Sequence, residues 1–184
     1  MHDGRMSDVM VRALGEADWE EFRGIRLQAL TESPEAFAAK LSEEQGFDED
    51  FWKLRLRRST RFVAESTEQL LGLVCLGRAH DDDGEVPGVG EIFGLWVAPD
   101  ARGSGVATRL IKAGAERARE DGLSHVTFWV GTDNGKAVAF ASGMGFRPTD
   151  FRRPMRLPDG TELGDTEIAM VLPLGDDRAA PTRL

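Results

Sequence analysis

The chain has 184 residues, a formal net charge of −9, a single cysteine, 41% hydrophobic and 30% charged residues. That is ordinary for a globular domain, one long enough to bury about 70% of the surface its unfolded chain exposes. No apolar run approaches the ~20 residues that cross a bilayer. "MHDGRMSDVM" lacks the apolar segment of a secretory signal. The acidic balance disfavours nucleic acid and suits a cationic partner such as an amine, so a cytoplasmic location with no membrane or nucleic-acid partner is expected.

In chain order, "VMVRAL" (9–14) alternates and predicts a first strand. Trp19, Phe22, Ile25, Leu27 and Leu30 recur near helical spacing, which predicts an amphipathic helix ended or restarted by Pro34. "PEAFAAKLSEEQ" and "DEDFWKLRLRR" predict two short helices, the second capped by Asp48. The basic run "KLRLRRSTR" (53–61) reads as a solvated face. "RFVAES" and "QLLGLVCLGRA" predict a hairpin turning at "STEQ", with Cys75 a buried strand residue acting as a small hydrophobe.

"HDDDGEVPG" (80–88) reads as a polar, solvated connection. "VGEIFGLWVAP" (89–99) is a strong strand in which Gly94 marks a bulge or a close backbone approach. A helix follows over 105–122, with Val106, Leu110, Ile111 and Ala118 as its buried stripe and Gly122 at its end. "HVTFWVG" is a strand, "NGKAVAFASGMG" a shorter helix, "FRPTD" a short strand, "RRPMRLPDGTEL" (152–163) a long connection and "TEIAMVLPL" the last strand. Residues 1–8 and 175–184 read as flexible ends of one domain over 9–174. His2, His80 and His125 are scattered without metal-ligand spacing, so no metal is expected.

The chemistry concentrates in "VAPDARGSGVATRL" (97–110), a strand feeding a Gly-rich turn where a helix begins. Such a turn favours anions, because the first helical N–H groups have no intrahelical partner and glycine admits a ligand close to the backbone. The P-loop pattern does not occur here. The dinucleotide fingerprint fails at its third glycine, where Thr108 stands, which disfavours a nucleotide-binding oxidoreductase fragment.

Arg102-Gly103-Ser104-Gly105-Val106-Ala107 has the form [RQ]-x-x-G-x-[GA] after a strand ending Val-x-Pro, and resembles the pyrophosphate loop of the GNAT superfamily of acetyl-CoA-dependent N-acetyltransferases. "NGKAVAFASGMGF" (134–146) resembles that family's second segment, with Asn134, Ala137, Gly145 and Phe146 in step. The resemblance implies an α/β (α+β) fold with a mixed central sheet of about six or seven strands flanked by helices. It also implies a sheet splayed between the strands at 89–97 and 124–130. Acetyl-CoA is then the cosubstrate, its diphosphate cradled by backbone from Arg102 to Thr108 and its pantetheine arm lying along Leu95, Trp96 and Val97. Asn134, Lys136 and Phe140 are further coenzyme contacts; Asn134 equally suits a helix N-cap.

In that family an amine attacks the thioester directly in a ternary complex. A lysine-like amine has a pKa of ~10.4, so its neutral form lies some 4–5 kcal/mol uphill at pH 7 and needs a base or desolvation. Glu91, eleven residues before Arg102, stands where relatives place a glutamate base, and an exposed strand-end glutamate is the alternative. A backbone N–H near Leu95 is the candidate oxyanion donor. Asp81–Asp83 and Glu85 are lesser candidates for holding a cationic substrate. The family's usual tyrosine acid falls on Ala141, in a chain without tyrosine, and Ser142 points elsewhere on the helix. A water can protonate the leaving thiolate instead, and a coenzyme-binding sensor with little turnover is the alternative reading. The acceptor is a small-molecule or peptide amine, with Phe37, Phe47, Phe51 and Trp52 as core or pocket residues and 152–163 as a second wall. Homodimerisation is left open.

Overall fold

The computed structural model describes residues 8–157 and 159–184, so the expectation for 1–8 falls almost wholly outside the described residues. In chain order the elements are β1 (Met10–Ala13), α1 (Trp19–Glu32), α2 (Leu41–Gln45), α3 (Glu49–Arg58), β2 (Thr60–Glu65), β3 (Leu70–Asp81) and β4 (Gly84–Val97). Then come α4 (Val106–Glu120), β5 (His125–Gly131), α5 (Gly135–Gly143), β6 (Arg147–Arg156) and β7 (Glu162–Pro173). One seven-stranded sheet runs in the order β1-β2-β3-β4-β5-β7-β6. β4 and β5 are parallel, while β1–β2, β5–β7 and β6–β7 are antiparallel. A parallel neighbour requires a crossover, and α4 supplies it. The expected mixed α/β sheet forms, with seven strands.

The chain forms two compact units, one of residues up to 75 with 94–114, the other of 76–93 with 115–184. In the first, the helical spacing of α1 buries Phe22, Ile25, Ala29 and Leu30 against Trp52 and Leu56 of α3, Val63 of β2, Leu73 of β3 and Trp96 of β4. Phe22 and Trp52 meet edge to face at 5.4 Å. Successive strand residues face opposite ways, and Gly72 accordingly faces α4. A Cβ there would come within 2.9 Å of both Leu110 Cδ1 and the Trp96 carbonyl oxygen. Only glycine lets α4 sit that close to β3 and β4.

Two expectations in this unit are corrected. Residues 34–45 make a 3₁₀ turn at Pro34–Ala36 and the five-residue α2, because Phe37 and Lys40 are extended and interrupt the helix. The basic run 53–61 is not all solvated. Arg61 is buried, and Arg55 turns inward to Glu44 at 2.8 Å. Phe37 and Trp52 are core, Phe47 packs against it and Phe51 is exposed. Asp48 caps α3 as expected, its Oδ1 accepting from Phe51 N at 2.9 Å.

In the second unit, β5 and β7 pair from His125↔Pro173 to Gly131↔Glu167. α5 lies along β5, and Phe146 meets Phe128 edge to face at 6.0 Å. Two segments read as connections are strand. β3 runs to Asp81 and β4 begins at Gly84, so 80–88 is a tight hairpin, with Val86 and Val89 buried beside Ala79. Likewise β6 reaches Arg156 and β7 begins at Glu162, so 152–156 and 162–163 belong to long strands. Both are rich in polar and turn residues, and it is pairing with the neighbouring strand that makes them strand. Among the last residues, Arg183 reaches Asp81 with Nε at 2.7 Å and Nη2 at 2.8 Å, and Leu184 packs on the Ala79 cluster.

Candidate functional site

β4 ends at Val97, Pro99–Ala101 form one 3₁₀ turn, and α4 opens at Val106. Between them Gly103 and Gly105 take φ values of +79° and +87°. A side-chain-bearing L-residue in that region is strained by about 1–2 kcal/mol. The first helical bond runs from Arg109 N to the Gly105 carbonyl at 3.1 Å. The N–H groups of Val106, Ala107 and Thr108 therefore precede the intrahelical ladder and carry the positive end of the helix dipole. A Cβ at Gly103 would meet no atom within 4 Å. The turn is thus an open, backbone-lined cup of partial positive charge, suited to phosphate oxygens.

The cup is braced from α1. Arg102 donates Nε to the Val97 carbonyl at 3.0 Å and Nη2 to Glu32 Oε2 at 2.7 Å. The Trp96 indole N–H donates to the same Glu32 oxygen at 2.9 Å. Hydrogen bonds from Ser33 and Trp96, then the Arg102 guanidinium, hold the Glu32 carboxyl below the usual range. Farther back on β4, Gly94 has φ +63°, and a Cβ there would press on Cys75 Sγ at 3.2 Å. A left-handed glycine inside a strand is the device of a bulge. After it, Leu95 and Val97 are half-buried while Trp96 is core.

Glu91 stands before that glycine on β4, opposite Thr127 in the parallel register. Its side chain is only 20% exposed, and its Oε1 lies 3.5 Å from Nη1 of Arg153. Arg153 is held by Glu167, its register partner on β7, through Nε at 2.8 Å. It also stacks on Trp129, with Cζ 4.2 Å from the ring centroid. Burial pushes the Glu91 carboxyl above its ordinary value. Arg153 pulls it down, the Glu167 charge pushes it up and His80 pulls it down, and burial prevails. A carboxylate raised in this way is a better proton acceptor than an exposed one.

The sequence profile of the acetyltransferase (GNAT) family matches residues 19–146, more than half of the chain. The chain belongs to the GNAT family. Among its curated relatives, a mycothiol acetyltransferase of Parafrankia sp. is 27% identical over 168 residues, covering 82% of this chain and 51% of the relative. An N-acetyltransferase of Methanocaldococcus jannaschii of uncharacterised role is 33% identical over 95 residues, covering 52% of this chain and 42% of that protein. This GNAT chain therefore spans about half the length of those relatives. Among solved structures, one from Salmonella typhimurium described as an acetyltransferase with its cofactor acetyl-CoA superposes with TM-score 0.71 at 19% identity, over 95% of this chain and 99% of that one. The ribosomal-protein-S18-alanine N-acetyltransferase of Escherichia coli gives 0.62 at 19% identity, over 96% and 98%. At such identities the likeness is one of fold.

In this GNAT chain the residues from Leu95 to Thr108 form one continuous segment, tied together by the Arg102–Val97 bond. Asn134 is the N-cap of α5, its Oδ1 accepting from Ala137 N at 3.1 Å. Lys136 is exposed on the first turn, Phe140 is half-buried, and Ala141 is 1% exposed. Of the lesser acidic candidates, Asp81 is engaged by Arg183, while Asp82, Asp83 and Glu85 lie exposed on the hairpin. Among the described residues no group of three His, Cys, Asp or Glu side chains is gathered as for a metal ion. Among the described residues no helix is long and apolar enough to cross a membrane. Sequence reasoning missed Glu32 as the brace of Arg102, and Arg153, Glu167 and Trp129 around Glu91. The spacing of β6 and β7 would have offered the second set only once their hairpin register was known.

Proposed function

We propose that the chain transfers an acetyl group from acetyl-CoA to a primary amine by direct attack in a ternary complex. The observation that carries this reading is the cup of Gly103, Gly105 and the α4 N-terminus. Both glycines hold positive φ, and among the described residues no atom lies within 4 Å of a Cβ built on Gly103. Backbone N–H groups from Arg102 to Thr108 bind the diphosphate, and the main chain of Leu95, Trp96 and Val97 receives the pantetheine arm. On the family resemblance, Asn134, Lys136 and Phe140 complete the coenzyme contacts, and Asn134 still caps its helix.

Glu91 is the general base in this scheme, directly or through a water. It takes the proton that the ammonium must lose, a cost of some 4–5 kcal/mol at pH 7 for an alkylamine. A main-chain N–H near Leu95 donates to the developing oxyanion. With Ala141 buried and no tyrosine in the chain, a water protonates the departing thiolate. A thiol with a pKa near 8.5 leaves without a strong acid. That same alanine favours a second reading, a coenzyme-binding sensor with little turnover.

Thermal unfolding with ligand tests the first step. Acetyl-CoA at 100 times its dissociation constant adds about 2.7 kcal/mol, or roughly 5–10 °C in a chain of this size. The expected result is that shift with acetyl-CoA and none with NAD, and the reverse pattern overturns the reading. Release of CoA thiol across a panel of amines then separates a transferase from a sensor.

A further inference from the structure

Strands β4, β5, β7 and β6 each send one side chain to the same place in the second unit: Glu91, Trp129, Glu167 and Arg153. The two carboxylates are largely covered, at 20% and 17% exposure, whereas Arg153 is 43% exposed. Its contacts are unequal. The bond to Glu167 is 2.8 Å, and the approach to Glu91 is 3.5 Å, outside good hydrogen-bond geometry. A half-exposed guanidinium thus rests on an aromatic face between two carboxylates, bound to one and only leaning on the other.

We propose that this is the acceptor's cation site, occupied in the free protein by Arg153 as a stand-in, and that the acceptor is a primary amine carrying a second positive charge. The proposal rests on Glu91 being the base. In this scheme the amine approaches Glu91 from the side that Arg153 Nη1 faces, 3.5 Å away, and the arginine swings aside to admit it. Its departure leaves Glu91 and Glu167 as like charges with their shared counter-ion gone. A monoamine, once it has given its proton to Glu91, leaves that carboxyl neutral but Glu167 without a counter-ion. A diamine or guanidino-amine leaves one cation in place, against Glu167 and over the Trp129 ring, where a cation is attracted by the ring's quadrupole. An acceptor bearing a carboxylate would bring a third negative charge to the same spot. His80 also acts on Glu91, and all comparisons are made at one pH. Arg153 is on this account a specificity-determining gate.

The test is calorimetric titration of the CoA-saturated full chain with three amines of matched length: 1,4-diaminobutane, butylamine and 4-aminobutanoate. The wild type is expected to bind the diamine about tenfold tighter than butylamine, with 4-aminobutanoate weakest. Arg153→Ala is expected to tighten diamine binding a further five- to tenfold and to change butylamine by less than about twofold. Trp129→Leu is expected to erase the preference for the diamine. The proposal is overturned if Arg153→Ala leaves diamine affinity unchanged or weakens it. It is equally overturned if 4-aminobutanoate binds the wild type best and loses that affinity in Arg153→Ala, which would make the arginine an anion-binding hand. Absence of binding by all three amines in both proteins also overturns it. Because binding is read without turnover, diamine binding without CoA release would sink the transferase reading and leave a dication site that is no acceptor site. Turnover with no preference among the amines would do the opposite.

Discussion

Arg102 and Glu32 lie 70 positions apart in the chain and 2.7 Å apart in the fold. The guanidinium uses its fork, Nε to the Val97 carbonyl and Nη2 to Glu32, and so ties the end of β4, the glycine turn and the end of α1 into one frame. The glycine turn proposed to hold the coenzyme's diphosphate is consequently braced by the protein's own side chains.

A lysine cannot reproduce that frame, because an ammonium is a point charge and the two acceptors need donors in a fixed fork. Arg102→Ala is expected to raise the dissociation constant for acetyl-CoA about tenfold. Arg102→Lys should recover less than half of that loss on a logarithmic scale. Calorimetric titration of the two variants decides it; full recovery by lysine would mean that only charge matters at this position.

Gly72 sets how closely α4 approaches β3 and β4. In Gly72→Ala the new methyl meets a backbone oxygen and Leu110 at 2.9 Å, an overpacking that costs about 1–3 kcal/mol. Since α4 carries the cup, weaker coenzyme binding should accompany a fall in melting temperature of roughly 2–10 °C. A destabilised variant with undiminished coenzyme affinity would show that the helix position is not what shapes the cup.

Glu91→Gln is expected to lower turnover by about 10²–10⁴ near neutral pH and to recover in part at high pH, where the free amine supplies itself. In the wild type the acid limb of the rate profile should lie above the ordinary carboxylate range, because burial raises Glu91. Linkage gives the stability sign. A carboxyl raised in the folded state favours folding below its unfolded value and loses that advantage as pH climbs through the folded one. At neutral pH the glutamine variant should therefore be no less stable than the wild type. A rate profile unchanged by the substitution would remove Glu91 from the reaction.

Glu44 is buried between two arginines, accepting from Arg26 Nε and Nη2 at 2.9 Å each and from Arg55 Nη1 at 2.8 Å. Burial pushes its carboxyl up, but the hydrogen bonds and charges of Arg26 and Arg55 carry it below the usual range. Removing the charge leaves two guanidinium groups facing one another, and breaking a buried pair costs about 3–5 kcal/mol. Glu44→Gln should lower the melting temperature by roughly 10 °C. In the wild type this contribution is present above the ordinary carboxylate range and fades as pH falls through the lowered value. A melting temperature equally sensitive to acid in both proteins would contradict the assignment.

The sequence alone determined whatever depends on neighbours in the chain. Hydrophobic spacing marked α1 and α4, Asp48 and Asn134 announced the caps of α3 and α5, and the glycines at 103 and 105 marked the turn, since local backbone sterics and orphan helical N–H groups leave a local signature. The hairpins at 80–88 and 152–163 were read as connections because polar residues on strands look like loops until a partner strand supplies hydrogen bonds. Only the tertiary structure could turn Arg55 inward to Glu44, bring Glu32 to Arg102, or lay Arg153 over Trp129 between Glu91 and Glu167. Those contacts join residues from distant elements, and what fixes them is strand register and helix packing, quantities that no local stretch of chain contains.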